Sequence, residues 1–301
     1  MHNKLSGIII PAITPFDRDG SLDFEMMKGN YDKWNQTDVR GYMCLGSNGE
    51  FKSLNDEESY QVIAHAAEYH GKDKTLIAGV GRESLHHTLE FIERINREKL
   101  KLDYLSVLTP SYFAKRMTDE ALVNYYVKIA DYSNYPILLY CAPSFANSVC
   151  LSVDAVRELA GHPNIHGIKD TSGHMMDEYM FAFKGRTDFE VLAGSINTIL
   201  NCMEQGGKGG VISVANYFPE YCTKFMGLFR KGKRTEAKSY LEKLKGAAQK
   251  TGARQSVASI KCCMNLMGYQ GGYPREPMLP VDSCLKAELR QAIEESRELL
   301  V

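Results

Sequence analysis

Charge of one sign is missing from this chain: its 301 residues carry 36 Lys and Arg against 37 Asp and Glu, a formal net charge of −1. That balance gives no whole-molecule pull toward nucleic acid or an anionic membrane. Long apolar runs are missing as well, since nothing approaches the roughly 18 consecutive apolar residues of a membrane span. The N-terminal stretch Met1-His2-Asn3-Lys4-Leu5-Ser6-Gly7 leads into Ile8-Ile9-Ile10-Pro11, too short for the apolar centre of a signal peptide. The expectation is a soluble, cytoplasmic protein with no membrane or nucleic-acid partner. Cys-x-x-Cys pairs are absent, and the eight cysteines are scattered, several within apolar segments, which suits reduced core thiols and not a disulfide framework. Metal-ligand spacing is lacking too. His65 and His70 lie five apart on a helical pattern and face different ways, His86 and His87 are adjacent, and His162 and His166 flank a Pro-Asn break. No metal or other cofactor is expected.

What is present is an alternation. With 44% hydrophobic and 24% charged residues the chain can bury a large core. Short apolar runs recur at Gly7–Ile13, Gly41–Leu45, Thr75–Ala78, Tyr104–Leu108, Ile137–Tyr140, Ile165–Ile168, Glu190–Leu192 and Gly210–Val214. Helical patterns lie between most of them, opened by Asn55-Asp56-Glu57-Glu58, Ser84, Thr118-Asp119-Glu120 and Ser152-Val153-Asp154. Eight such units without a Rossmann glycine fingerprint predict an α/β fold, a (β/α)8 TIM barrel, over an open doubly wound sheet. After Val214 the strand signals stop. Helices are predicted at about Pro219–Arg230, Arg234–Lys250, Ser256–Met267 and Ser283–Leu300, with a Gly-Pro-rich connector at 271–277. This order places the barrel in residues 1–230 and a C-terminal helical extension in 231–301.

Catalytic groups of such barrels gather where strands end. Lys169 closes the sixth apolar run, just before the turn-rich Thr171-Ser172-Gly173. Taken alone it reads as a solvated lysine; aimed into a pocket, where desolvation disfavours the ammonium, its free amine would attack a carbonyl and form a Schiff base. Tyr140, at the end of Pro136-Ile137-Leu138-Leu139-Tyr140, is either a core aromatic or a phenol able to donate and accept a proton in turn. Gly46-Ser47-Asn48-Gly49-Glu50 is either an ordinary turn or a cradle of N–H groups for a small carboxylate. It is not a Walker motif, because no Gly-Lys-Ser/Thr follows. Tyr112, on the loop Pro110-Ser111-Tyr112-Phe113, suits surface or interface packing.

Read together, Gly46-Ser47-Asn48-Gly49-Glu50, Thr109-Pro110-Ser111-Tyr112, Leu139-Tyr140-Cys141-Ala142-Pro143, Gly167-Ile168-Lys169-Asp170 and Gly210-Val211-Ile212-Ser213 resemble, in order, the signatures of the dihydrodipicolinate synthase and N-acetylneuraminate lyase family. The resemblance spans nearly the whole chain. It implies a class I aldolase on a (β/α)8 barrel, a homotetramer acting on pyruvate or another 2-oxo acid plus an aldehyde. It further implies that Lys169 forms the pyruvyl Schiff base, that Tyr140 shuttles the proton, and that Ser47 and Asn48 hold the pyruvate carboxylate. Tyr112 corresponds to the tyrosine that completes a relay across a subunit interface, and Gly194 and Ile212 would line the pocket.

Within the family, Phe145 in Pro143-Ser144-Phe145-Ala146-Asn147 occupies the position where dihydrodipicolinate synthases carry an arginine for aspartate semialdehyde, and a phenyl ring cannot make that charge-assisted pair. Gly194-Ser195-Ile196-Asn197 lacks the acidic residues of the sugar-acid lyases. Leu45–Phe51, His162-Pro163-Asn164-Ile165, Val191–Ser195 and Gly268-Tyr269-Gln270-Gly271-Gly272 resemble the 4-hydroxy-2-oxoglutarate aldolases, which release pyruvate and glyoxylate. That branch has a small polar residue where this chain has Phe145. Arg82, in Gly79-Val80-Gly81-Arg82, is either a replacement cation for an acidic aldehyde or a surface arginine.

Two readings of other kinds compete. The basic stretch Arg230-Lys231-Gly232-Lys233-Arg234 suggests a nucleic-acid face, but Glu236 and Glu242 interleave with the lysines that follow, as on a solvated helix flank. A non-catalytic binder of 2-oxo acids would keep the barrel, yet it would need no lysine nucleophile.

Overall fold

The computed structural model describes residues 4–300; residues 1–3 of the N-terminal stretch considered above, and residue 301, lie outside the described residues. Eight strands, β1 (Ile8–Pro11), β2 (Gly41–Cys44), β3 (Thr75–Gly79), β4 (Tyr104–Leu108), β5 (Ile137–Cys141), β6 (Ile165–Asp170), β7 (Glu190–Ala193) and β8 (Gly210–Val211), follow one another in a closed barrel. Strands buried on both faces need continuous apolar character, which is why each run was legible without alternation. Helices α1 (Phe24–Trp34), α2 (Asp56–Tyr69), α3 (Leu85–Glu98), α4 (Asp119–Tyr132), α5 (Val153–Leu159), α6 (Met176–Ala182) and α7 (Ile199–Glu204) lie between consecutive strands. The predicted openings hold: Asn55 and Glu58 form a reciprocal capping box, and Ser84, Thr118 and Ser152 each accept a backbone N–H of the first turn. After the barrel come α8 (Pro219–Arg230), α9 (Arg234–Lys250), α10 (Ser256–Leu266) and α11 (Ser283–Leu300).

By its contacts the chain divides into two compact units, a partition that differs from the boundary at residue 230 drawn from element order. One unit is built around Thr75–Val211. Its strands pair in parallel from β3 to β8, and the register sets Leu108 against Tyr140, Tyr140 against Lys169, and Lys169 against Leu192. The sixth strand runs past the predicted Ile168 to Asp170, because Lys169 and Asp170 still have partners in Leu192 and Ala193.

The other unit combines Gly7–Lys74 with the described residues from Ile212 onward. Here β1 pairs with β2 in parallel, and the single tryptophan, Trp34 of α1, donates through Nε1 to the carbonyl of Asn216 at 3.1 Å. Asn216 donates to the carbonyls of Pro11 (3.0 Å) and Ser213 (2.9 Å) and accepts from the Ile13 N–H at 3.3 Å. Its amide therefore closes the backbone at the end of β1. That closure explains why the eighth run stops at Val211 and bends into a 3₁₀ turn at Ser213–Asn216, where the sequence predicted strand through Val214. In the basic stretch Lys233 pairs with Glu236 at 3.0 Å and the Arg234 guanidinium lies 3.4 Å from the Phe229 ring centre, and further along α9 Lys245 pairs with Glu242 at 2.9 Å. Among the described residues, no helix is long and apolar enough to cross a membrane.

The close approach of β6 and β7 requires a residue without a side chain two positions before Lys169. A Cβ on Gly167 would stand 2.4 Å from the Glu190 carbonyl oxygen, an atom the backbone cannot move aside. Gly167→Ala is expected to lower stability by about 1–3 kcal/mol, as overpacking does. Gly246→Ala, in α9 with nothing within 4 Å of the added carbon, should raise it by roughly 1 kcal/mol through helix propensity. Urea unfolding of the two variants measures both changes.

Candidate active site

The unit around Thr75–Val211 holds the candidate nucleophile. Because Tyr140 and Lys169 are opposed on neighbouring parallel strands, their side chains leave the same rung, and the Lys169 ammonium nitrogen lies 3.9 Å from the Tyr140 ring centre. Both are buried, with 5% and 3% of their surface exposed, so Lys169 is not the solvated lysine that the residue alone suggests. Buried oxygens without a hydrogen-bonding partner occur at the C-terminal ends of β4 and β6: Thr109 Oγ1 just after β4, Asp170 Oδ2 at the end of β6, and Thr171 Oγ1 just beyond it. Burial raises the Asp170 carboxyl above its ordinary value. Gly194 accommodates this end of β6. Its N–H donates to the Asp170 carbonyl at 2.7 Å, and a Cβ there would fall 2.1 Å from Thr171 Oγ1.

Tyr112 and Arg82 are placed differently. Glu83 pins the loop after β4, accepting from the N–H groups of Ser111 (2.7 Å) and Tyr112 (2.9 Å) and from the Ser111 hydroxyl (3.1 Å). The Tyr112 ring nevertheless stands 78% exposed, edge-on to Phe113, which is also exposed. Arg82 is half-buried: its guanidinium lies 4.0 Å from the Phe91 ring centre and donates to the carbonyls of Val80 and Gly81 at 3.2 Å each. Phe145 closes a 3₁₀ turn, Pro143–Phe145, and is 46% exposed.

The other unit holds the candidate carboxylate cradle. After β2 the chain turns through Leu45 at φ 54° into a 3₁₀ turn, Ser47–Gly49, and Glu50 follows at φ 53°. Gly49 is held against β1: Thr14 Oγ1 donates to its carbonyl at 2.7 Å, and a Cβ would meet the Ala12 carbonyl oxygen at 3.2 Å. Ser47 is half-buried and Asn48 buried, and the Asn48 Nδ2 amide is a buried donor with no partner. A buried donor left unpaired costs about 1–3 kcal/mol, which a ligand acceptor would recover. Ile212, just beyond β8, is buried and donates its N–H to the Ile9 carbonyl at 3.0 Å.

These motifs sit on a sequence that matches the Dihydrodipicolinate synthetase family over residues 4–296. The chain belongs to this family. An uncharacterized DapA-like lyase of Thermococcus kodakarensis is 33% identical over 275 residues, covering 88% of this chain and 90% of the relative. A protein of Emericella nidulans named as a probable mitochondrial 4-hydroxy-2-oxoglutarate aldolase is 27% identical over 297 residues, covering 97% of this chain and 95% of its own. Among solved structures, the chloride-inhibited dihydrodipicolinate synthase from Acinetobacter baumannii, complexed with pyruvate, superposes with a TM-score of 0.89 at 25% identity, covering 97% of this chain and 99% of that one. Membership makes this chain an enzyme of the lyase and aldolase type.

In this member of the Dihydrodipicolinate synthetase family, the loop bearing Ser47 and Asn48 is held by residues that the sequence did not single out. Glu50, whose side chain is 1% exposed, meets Lys261 of α10 at 2.5 Å and accepts the Arg275 N–H at 2.9 Å. Lys261, equally buried, also donates to the Tyr273 carbonyl at 2.6 Å and lies 4.5 Å from the Phe16 ring centre. Arg275 stacks at 4.4 Å on the same ring and forks onto Glu58 at 2.8 and 2.7 Å. Burial lowers Lys261 to about 8, with the Glu50 carboxylate pulling the other way. Desolvation outweighs pairing here, so the pair contributes position more than stability. One signal was available: Lys261 is the single charge in Ser256-Val257-Ala258-Ser259-Ile260-Lys261-Cys262-Cys263-Met264, and a lone charge inside an apolar helix needs a partner.

A cleft of about 290 Å³ lined by Met26, Lys261, Tyr269, Tyr273 and Lys286 contains none of the candidate catalytic or carboxylate-binding residues and is not the candidate site. Among the described residues, no group of three or more His, Cys, Asp or Glu could hold a metal ion. His65 stacks on Phe24 with ring centres 3.8 Å apart, and His162 pairs with Asp131 at 3.1 Å.

Lys261→Met leaves Glu50 buried without its counter-charge and is expected to cost about 3–5 kcal/mol in urea unfolding. Adding Glu50→Gln should restore part of that loss, so the double variant will be more stable than the sum of the singles predicts.

Proposed function

We propose that this enzyme is a class I pyruvate aldolase in which Lys169 carries the substrate as an imine. The observation that supports it best is the buried Lys169 nitrogen set 3.9 Å from the Tyr140 ring centre on one rung of β5 and β6. The Lys169 amine adds to C2 of pyruvate, and loss of water leaves the protonated imine. That cation withdraws electrons from C3, so removal of a C3 proton gives an enamine, the carbon nucleophile of the forward reaction and the electron sink of the reverse cleavage. Tyr140, whose phenol can both donate and accept, moves the proton during dehydration and at the enamine carbon. Ser47 and Asn48 take the pyruvate carboxylate, and the unpartnered Asn48 amide supplies a donor for it. Tyr112, outward in the single chain, completes the proton relay from a neighbouring copy in a homo-oligomer, a tetramer by family resemblance.

For the aldehyde partner we propose glyoxylate, which makes the reaction that of a 4-hydroxy-2-oxoglutarate aldolase. The motif likeness of Leu45–Phe51, His162–Ile165, Val191–Ser195 and Gly268–Gly272 to that branch supports this, and the half-exposed Phe145 removes the arginine expected for aspartate semialdehyde while also departing from the small polar residue of the aldolase branch. The name of the Emericella nidulans relative points the same way.

Incubation with pyruvate and borohydride, followed by peptide mass analysis, should place one reduced pyruvyl adduct on Lys169. Lys169→Ala is expected to abolish both adduct and turnover while the circular dichroism spectrum is unchanged; an active Lys169→Ala protein would sink the imine mechanism. Tyr140→Phe should still be trapped by pyruvate but lose about 10²–10⁴-fold in kcat, the usual scale of general acid–base catalysis. Kinetics with glyoxylate and with aspartate semialdehyde then decide the aldehyde: a higher kcat/KM for the latter would overturn the aldolase assignment without touching the imine.

A further inference from the structure

The geometry points to Cys141 and Cys150 as a reversible redox couple, oxidised by a hydroperoxide to a disulfide that ties the loop 142–149 back onto β5. Their sulfurs lie 2.9 Å apart although nine positions separate them in sequence. The loop brings this about by doubling back. Phe145 and Ala146 donate to the carbonyls of Ala142 (2.9 Å) and Pro143 (3.1 Å), and then Asn147 and Ser148 enter the left-handed region at φ 46° and 65°. Each such residue without a glycine's freedom costs about 1–2 kcal/mol. What holds them there is contact on both sides. Ser148 and Val149 donate to the carbonyls of Pro143 (2.9 Å) and Ala146 (2.8 Å), Val149 and Leu151 are buried, and the Tyr179 hydroxyl donates to the Leu151 carbonyl at 2.5 Å. Cys150 is thereby returned to the end of the strand, beside the residue that follows Tyr140.

A disulfide needs sulfurs about 2.0 Å apart, under an ångström closer than they already stand. The two thiols are not equivalent. Cys150 is half-buried and Cys141 buried, so an incoming oxidant meets Cys150 first. Contact with Cys141 holds the Cys150 thiol below its ordinary value, while that contact and burial push Cys141 up. Cys150 is the attacking thiolate and Cys141 the resolving thiol. The Cys150 sulfur attacks the O–O bond of hydrogen peroxide, forming an S–O bond and releasing hydroxide, which is protonated to water. The Cys141 sulfur then attacks Cys150, the S–O bond breaks, and the departing hydroxide takes the Cys141 proton. Two thiols lose two electrons and two protons, and the peroxide becomes two waters. The product fixes the loop that carries Phe145 to the strand that carries Tyr140.

The test needs no substrate, so its failure and that of the proposed aldolase activity are distinguishable. The whole protein is treated with a few equivalents of hydrogen peroxide, quenched by alkylation in denaturant, and mapped by mass. The oxidised chain should take up two fewer alkyl groups than the eight of the reduced chain, yield a peptide cross-linked between Cys141 and Cys150, and return to eight after a dithiol reductant. Cys150→Ser and Cys150→Ala should each lose the cross-link. Unchanged alkylation, a cross-link between other cysteines, or Cys150 running on to sulfinic acid with Cys141 still alkylated would each overturn the proposal.

Discussion

Lys169 meets Tyr140 because β5 and β6, after a register shift between Ile137 and Leu138, stay hydrogen-bonded in one register from Leu138 to Cys141. A slip of one residue would turn Lys169 away from the Tyr140 face and bring Ile168 or Asp170 in its place. That register continues outward, to Leu108 on one side and Leu192 on the other, so the lysine is fixed by four strands and not by its own loop. Gly167 allows the fit by letting the Glu190 backbone pass where a side chain would stand. A nucleophile held this way has little freedom to lose when a substrate arrives, which is the advantage of building a site on strands.

The loop with Ser47 and Asn48 is fixed by a different physical means. It has no ladder to define it, and its conformation includes two non-glycine residues of positive φ, Leu45 and Glu50. Its rigidity comes from charge: Glu50 is locked between Lys261 and the Arg275 N–H, and Lys261 and Arg275 are themselves stacked on Phe16. Burying ions costs more than it returns in stability, but few other positions satisfy the pair, so the loop has essentially one arrangement. The helices after the barrel thus act as a support for the loop within their own unit, which gives the C-terminal extension a role that element order alone does not suggest.

Legibility followed the range of the interactions. The parallel strands were visible as uninterrupted apolar runs, and Asn55, Ser84, Thr118 and Ser152 marked helix starts because a cap acts within four residues. Val214 misled, since its apolar character suits a strand, while the Asn216 amide, bonded to Pro11 and Ser213, ends the strand early. Lys169 and Tyr140 were singled out as candidates by their place at strand ends and by resemblance. Lys261, Arg275 and Glu83 were not, because each acts on a loop far away in sequence. The scattered cysteines hid a pair in the same way: nothing in their spacing shows that Asn147 and Ser148 turn the chain back on itself.

The sequence by itself determined the barrel, the order of its elements, the family and the identity of the candidate nucleophile, since hydrophobic period, caps and strand-end motifs are local properties written along the chain. Only the tertiary structure decided that Lys169 is buried against Tyr140, that Asn48 keeps an unpaired donor, that Tyr112 faces outward, and that Glu50 is clasped by Lys261. Burial and pairing are relations between residues far apart in sequence, and no single stretch of sequence contains them.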